Sequence, residues 1–263
     1  MEQDLLLSII NNFEVFAIVL IRIASILFLM PIFSTTALPV QVKAAMCLVM
    51  ALVLTPVLPV SPEQLPSDPF HMAMLLVAEL FVGMTLALVI RLVFGGLQLA
   101  AQMVGFQMGF SVASVVDPQT GTQSVIIAQF AYLVGLLLFL AADGHHIILR
   151  TLYDSFLILK PGAITMKDTL FKLVMDMGQQ MFVLSVKLMA PVMAILLFSQ
   201  VSLGILAKTV PQINVLIMSF GLNIAIGLFF LGLTIQVIWP VLGKALDRGL
   251  GLMPVLLHLF AGH

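Results

Sequence analysis

The sequence predicts an all-α integral membrane protein built of long helical hairpins, and three observations lead there. Charged residues make up 9% of the 263 positions and hydrophobic ones 62%, whereas an ordinary soluble domain carries roughly 25% charged residues. Surface that apolar cannot all be hidden by a fold of this size, so lipid or partner chains must cover it. The apolar residues gather in about six runs near or beyond the ~20 residues that a helix needs to span hydrocarbon. No segment alternates apolar and polar with period two, so the runs are helices rather than barrel strands.

The first run, Phe13 to Met30, stops at Pro31. It follows an acidic start, Met1-Glu2-Gln3-Asp4, where a secretory leader would be basic, so it is expected to stay in the mature protein. The second, Val40 to Val60, carries Pro56 and Pro59 near its end and leads into the proline-rich loop Ser61 to Pro69. Proline there removes backbone donors and fixes φ, which ends a helix. The third run is His71 to Phe94, followed by a Gly/Gln-rich stretch from Gly95 to Gly121. The fourth, Val125 to Ala142, ends at Asp143-Gly144, and a shorter one, Ile147 to Leu159, ends at Lys160-Pro161-Gly162. Asp168, Lys172 and Asp176 then recur at i, i+4 and i+8, so they share one helix face and alternate in sign. That amphipathic start is expected to continue into the fifth long run, Met181 to Ala207, as one arm of a hairpin. The sixth run is Ile213 to Trp239, and a short one covers Val241 to Phe260.

Net charge is −1, which argues against nucleic acid as a partner, since phosphate binding needs a basic patch. Cys47 is the single cysteine, so neither an internal disulfide nor a cysteine-based metal cluster can form. No nucleophile elbow, P-loop or dinucleotide fingerprint occurs, and no cofactor or catalytic residue is expected. In Asp143-Gly144-His145-His146 the adjacent histidines point about 100° apart on a helix, which disfavours a shared ion. Asp143 is expected to cap the helix that begins near His145, and Arg150 to pair with Asp154.

Several polar residues sit where lipid would not tolerate them. Arg22 lies mid-run with Glu14 eight residues earlier, and Glu79 lies inside the third run. A charge at mid-bilayer costs ~2.5–3.5 kcal/mol, so each needs a partner, either as a pathway or interface charge or as a structural ion pair between helices. In the Gly/Gln-rich stretch, Gln98 and Gln102 share a helix face, and Gly105 and Gly109 form a small-xxx-small pair that lets backbones approach. Asp117-Pro118 with Gly121 is a turn signal. A polar loop between long apolar runs is either a gate lining a cavity or an ordinary external loop. The mild cluster of basic residues from Lys160 to Lys172 would lie on the cytoplasmic side.

Taken together these segments resemble the FliR family of flagellar export-gate proteins, with counterparts in virulence-type injectisomes. Four regions carry the resemblance: Arg22 with Pro31-Ile32-Phe33-Ser34, Pro39, Lys43 and Pro56; Glu79 to Gly83 running into Gln98 to Gln102, Gly105 to Gly109, Asp117-Pro118 and Gly121; Asp143-Gly144-His145 with Ser155 and Pro161-Gly162; and Gly204 to Val215, containing Lys208, Pro211-Gln212 and Asn214. They span nearly the whole chain, and the Pro-Gln-x-Asn block and the Gln/Gly stretch are its more specific parts. One departure is Ser219-Phe220-Gly221, where the family often has Gly-Phe-Pro; Gly221 permits a bend without forcing it.

The resemblance implies a single domain over 1–263, with residues 1–122 holding the Gly/Gln-rich helix and a plug-like loop and 123–263 forming helical hairpins. It implies a non-enzymatic subunit that joins FliP-like and FliQ-like gate subunits, with FlhA-like and FlhB-like export proteins nearby, in the bacterial inner membrane within the flagellar basal body. Unfolded protein substrates would pass through the shared channel. Gln102, Gly105, Phe106, Gly109, Phe110, Asp117, Pro118 and Gly121 would line or plug it, with Phe110 as an apolar stopper. Arg22, Glu79, Lys208, Pro211, Gln212 and Asn214 would be subunit contacts or buried polar groups. The alternative is a secondary transporter of a small solute, with Arg22, Glu79 or Asp143 in a coupling site, although no internal repeat supports it.

Overall fold

The computed structural model describes residues 2–33, 38–60, 62, 65–66, 68–110, 126–164, 168–210 and 215–262; at 2–12, 215–217 and 237 it describes the backbone alone. The described residues hold seven helices and no strand: α1 Glu2–Leu29, α2 Val40–Leu54, α3 Pro69–Gln107, α4 Ile126–Ala141, α5 Gly144–Ile158, α6 Asp168–Thr209 and α7 Val215–Phe260. The all-helical fold class therefore holds.

The runs and the helices do not coincide, and the differences have physical causes. The second run yields only a 15-residue helix. It stops at Leu54; Thr55 is still helical in backbone conformation and donates to the Ala51 carbonyl at 2.9 Å, but Pro56 has no N–H with which to continue the ladder. The third run and the Gly/Gln-rich stretch as far as Gln107 form one 39-residue helix. Gly95 and Gly96 cost helix propensity, about 1 kcal/mol each, but a Cβ at Gly96 would come 2.8 Å from the Met181 carbonyl oxygen. The missing side chain is what lets α3 lie against α6 there. The helix ends where Gly109 turns left-handed, with φ +93°, and its N–H donates to the Phe106 carbonyl at 3.0 Å. A glycine just past the last helical turn is the usual helix stop.

The amphipathic segment and the fifth run are one 42-residue helix that continues through Pro191. The sixth run and the short one after it join as the 46-residue α7, and Gly221 lies inside that helix. Among the described residues three helices are long and apolar enough to cross a membrane: α3, α6 and the part of α7 from Met218 to Gln236. The α4–α5 pair qualifies only as a span bent by 65°. Six runs thus become three such helices among the described residues, or four with the bent pair; α2 and α4, with 15 and 16 residues, are each too short to span alone.

At the α4–α5 bend Asp143 adopts φ 54°, in the left-handed region. Helix α5 starts at Gly144, and the Asp143 side chain makes no capping bond to a backbone N–H. Its carbonyl instead accepts from His146 N at 3.0 Å and Ile147 N at 3.2 Å, and its carboxylate faces His146 Nδ1 at 3.2 Å. The capping expectation therefore holds for position and fails for mechanism. Arg150 and Asp154 do pair, Nε to Oδ2 at 3.9 Å.

The chain divides into two compact units. One comprises residues 1–92, 143–177 and 247–263. Its buried residues include Ile18, Ile23, Leu86, Leu152 and Leu256, and Phe81 meets Phe260 edge-on. The other comprises residues 93–142 and 178–246. Its core gathers Ala101, Val104, Met108, Ile127, Val192 and Leu196, and Phe94 packs edge-on against Tyr132 and Phe139. Only 28% of the most apolar stretch of α6, and 11% of that of α7, is buried by the chain itself. Most of the hydrophobic surface of these two stretches faces outward.

Candidate functional site

Arg22 and Glu79 are both fully buried, at 0% exposure. Arg22 comes from α1, and its Nε donates to Glu79 Oε2 on α3. The same guanidinium reaches the C-terminal turn of α5: Nη1 donates to the Ser155 carbonyl at 2.9 Å and to Ser155 Oγ at 3.3 Å. Both terminal nitrogens lie 3.4–3.5 Å from the Leu159 carbonyl. Carbonyls at a helix end project partial negative charge, so a cation there is favoured. The Phe156 ring lies 4.2 Å from Arg22 Cζ, a cation–π contact that covers the guanidinium face. Glu79 Oε1 accepts from Gly162 N at 3.3 Å, closing the Lys160-Pro161-Gly162 turn, where Gly162 has φ +79°.

Backbone packing around the pair is equally close. Ser25 Oγ donates to the Arg22 carbonyl at 2.9 Å, and a Cβ on Gly83 would overlap Ser25 Oγ. Arg22/Ser25 and Glu79/Gly83 are thus two facing pairs on α1 and α3. Glu14 is not the partner of Arg22; the acid came from a helix 57 residues away. Among the described residues the only buried side-chain nitrogen or oxygen without a hydrogen-bond partner is His145 Nδ1. The Arg22–Glu79 network is therefore closed, with its donors and acceptors directed at one another. It holds α1, α3 and the end of α5 in one arrangement and leaves no group free to act on a substrate.

The second feature is the C-terminal part of α3. Gln102 and Phe106 are exposed on one face, Phe106 at 65%. Gly105 is buried, with Ile127 3.7 Å from where its Cβ would stand. Phe110 is half-buried and packs against the core of its own unit, so of the two phenylalanines Phe106 presents the free ring. Gln107 Nε2 donates to Gln200 Oε1 on α6 at 2.9 Å, and the residue just before it, the buried Ser199, donates to Asn223 Oδ1 on α7 at 2.8 Å. Lys208 is exposed in the last turn of α6. Asp117, Pro118, Gly121, Pro211, Gln212 and Asn214 lie outside the described residues.

Sequence reasoning named Arg22 and Glu79 but missed what joins them: the Ser155 and Leu159 carbonyls, the Phe156 ring and the Gly162 N–H. A backbone carbonyl carries no mark in the sequence. The findable signal was a small residue one helical turn after each buried charge, Ser25 after Arg22 and Gly83 after Glu79. The Ser199–Asn223 bond was missed as well, and an isolated Ser and Asn on two apolar helices were its only trace.

Residues 13–249 match the profile of the family described as bacterial export proteins, family 1. The chain is 33% identical over 257 residues to the flagellar biosynthetic protein FliR of Bacillus subtilis (strain 168), covering 96% of this chain and 98% of that one. It is 29% identical over 220 residues to the protein of the same name from Pectobacterium carotovorum subsp. carotovorum, with 84% of each chain covered. With that of Escherichia coli (strain K12) it shares 26% identity over 221 residues, again covering 84% of each.

Proposed function

The chain belongs to the bacterial export proteins, family 1, and from that premise we propose that it is a subunit of the flagellar type III protein export gate. It forms part of the channel through which unfolded flagellar proteins cross the inner membrane, and it catalyses no reaction itself. The observation that carries the reading is end-to-end kinship with a flagellar biosynthetic protein. The outward apolar faces of α6 and α7 support it, because a gate subunit must leave large surfaces for its neighbours. FliP-like and FliQ-like chains are the neighbours in this reading, with FlhA-like and FlhB-like proteins beside them in the basal body.

The channel-facing part in this reading is the end of α3 and the segment after it. Gln102 offers an uncharged polar group and Phe106 an exposed ring on the same face. The left-handed Gly109 ends the helix, and Asp117, Pro118 and Gly121 follow it in the sequence. A hydrophobic constriction made of Phe106, and of Phe110 if it leaves its core, would block ions while the gate is idle. Lys208, Pro211, Gln212 and Asn214 lie at the α6–α7 connection, as contacts to a neighbour.

Two experiments test the reading. Removal of this chain's gene is expected to abolish motility and the secretion of hook and filament proteins, with rescue by the intact sequence. Replacement of residues 111–122 by a short Gly-Ser linker is expected to raise ion leakage across the membrane. Unchanged secretion in the first case, or solute uptake into vesicles by the purified chain alone, overturns the gate assignment. An unchanged leak in the second overturns only the plug.

A further inference from the structure

We infer that the outer face of α6 is the seat of a partner helix that brings a carboxylate to Lys187. This rests on reading the chain as one subunit of an assembly, and its test can fail while the assembly stays intact.

Lys187 lies midway along α6, about 28 Å from one end and 33 Å from the other at the helical rise of 1.5 Å per residue. It is exposed, and among the described residues it makes no hydrogen bond or ion pair. Its own helix leaves a second polar atom there: Pro191, four residues on, has no N–H to give the Lys187 carbonyl. An ammonium and a carbonyl that lacks its usual i+4 donor thus stand together on a face that is otherwise apolar.

The spacing of that face fits another helix. Val183, Lys187, Ala190, Ala194, Leu197 and Val201 are all exposed, and they recur at alternating steps of four and three. This is the 3.5-residue period of a helix–helix seam, inclined about 20° to its partner. The opposite face, from Leu184 through Leu188, Val192 and Leu196, is buried in the chain's own core. Ala190 and Ala194 allow close approach one turn beyond the cation. One lysine in such a seam fixes register and partner at some cost in stability. Lipid tails would match the valines and leucine but would leave the ammonium uncompensated. A complementary charge on a packed helix satisfies both.

The test uses the complete export apparatus in its own membrane. A photo-crosslinking residue at position 194 is expected to capture an apolar helix of a neighbouring gate protein with Asp or Glu within one turn of the cross-link. Lys187→Glu is expected to lower secretion at least tenfold while the chain still reaches the membrane, with Lys187→Met much milder. Exchange of the captured acid for lysine should restore secretion to Lys187→Glu. Cross-links to phospholipid only, a captured helix without a carboxylate, wild-type secretion by Lys187→Glu, or failure of the charge exchange to rescue would each overturn the inference. If Lys187→Glu does not accumulate, the acid-to-lysine variant of the captured helix gives the same decision from the other side.

Discussion

A buried charge is held by what surrounds it. Arg22 and Glu79 satisfy each other and use their remaining polar atoms on Ser155, Leu159 and Gly162, so removing one leaves the other stranded. Arg22→Ala or Glu79→Ala is expected to destabilise the fold by about 3–5 kcal/mol, read as a lower denaturation midpoint of the purified chain. The double change Arg22→Met with Glu79→Leu should cost less than either, because no uncompensated charge remains. Gly83 has a sharper constraint. Gly83→Ala pushes a methyl into Ser25 Oγ and is expected to cost about 1–3 kcal/mol, the usual range for overpacking. Adding Ser25→Gly should restore part of the loss, though the Arg22 carbonyl at 3.0 Å still crowds the new Cβ.

Helices α3, α6 and α7 are longer than the apolar runs that announced them. Composition and run length made the fold class, the amphipathic opening of α6 and the Arg150–Asp154 pair legible. Helix ends were harder to see, because a hydropathy scan breaks at Gly95 or Gln180 and hydrogen bonding does not. The site was half legible: Arg22 and Glu79 stood out as charges in apolar runs, but their pairing depends on helix packing and on backbone atoms that no residue letter records. Gly96 illustrates the point. It reads as a helix breaker and acts as the place where α3 touches the backbone of α6. Gly96→Ala is expected to loosen that pairing, giving faster hydrogen exchange in α3 and α6. Gly178→Ala, in open space, should be neutral or should stabilise the isolated chain by up to about 1 kcal/mol through helix propensity. Equal effects at the two glycines would refute the close-approach argument.

At the scale of the whole molecule, the apolar exterior decides how the protein exists. Native mass spectrometry of material drawn from its own membrane is expected to show the chain bound to other small hydrophobic gate proteins; a stable solitary monomer would contradict this. With only 11% of the apolar stretch of α7 and 28% of that of α6 covered from within, an unassembled copy displays the same greasy flanks that mark a damaged protein for disposal. Quality-control proteases of the envelope should then clear surplus copies within minutes of synthesis and spare assembled ones. Pulse–chase labelling with and without the neighbouring genes would register the difference as a change in half-life. Copy number would be set by destruction of orphans, with no dedicated regulator required.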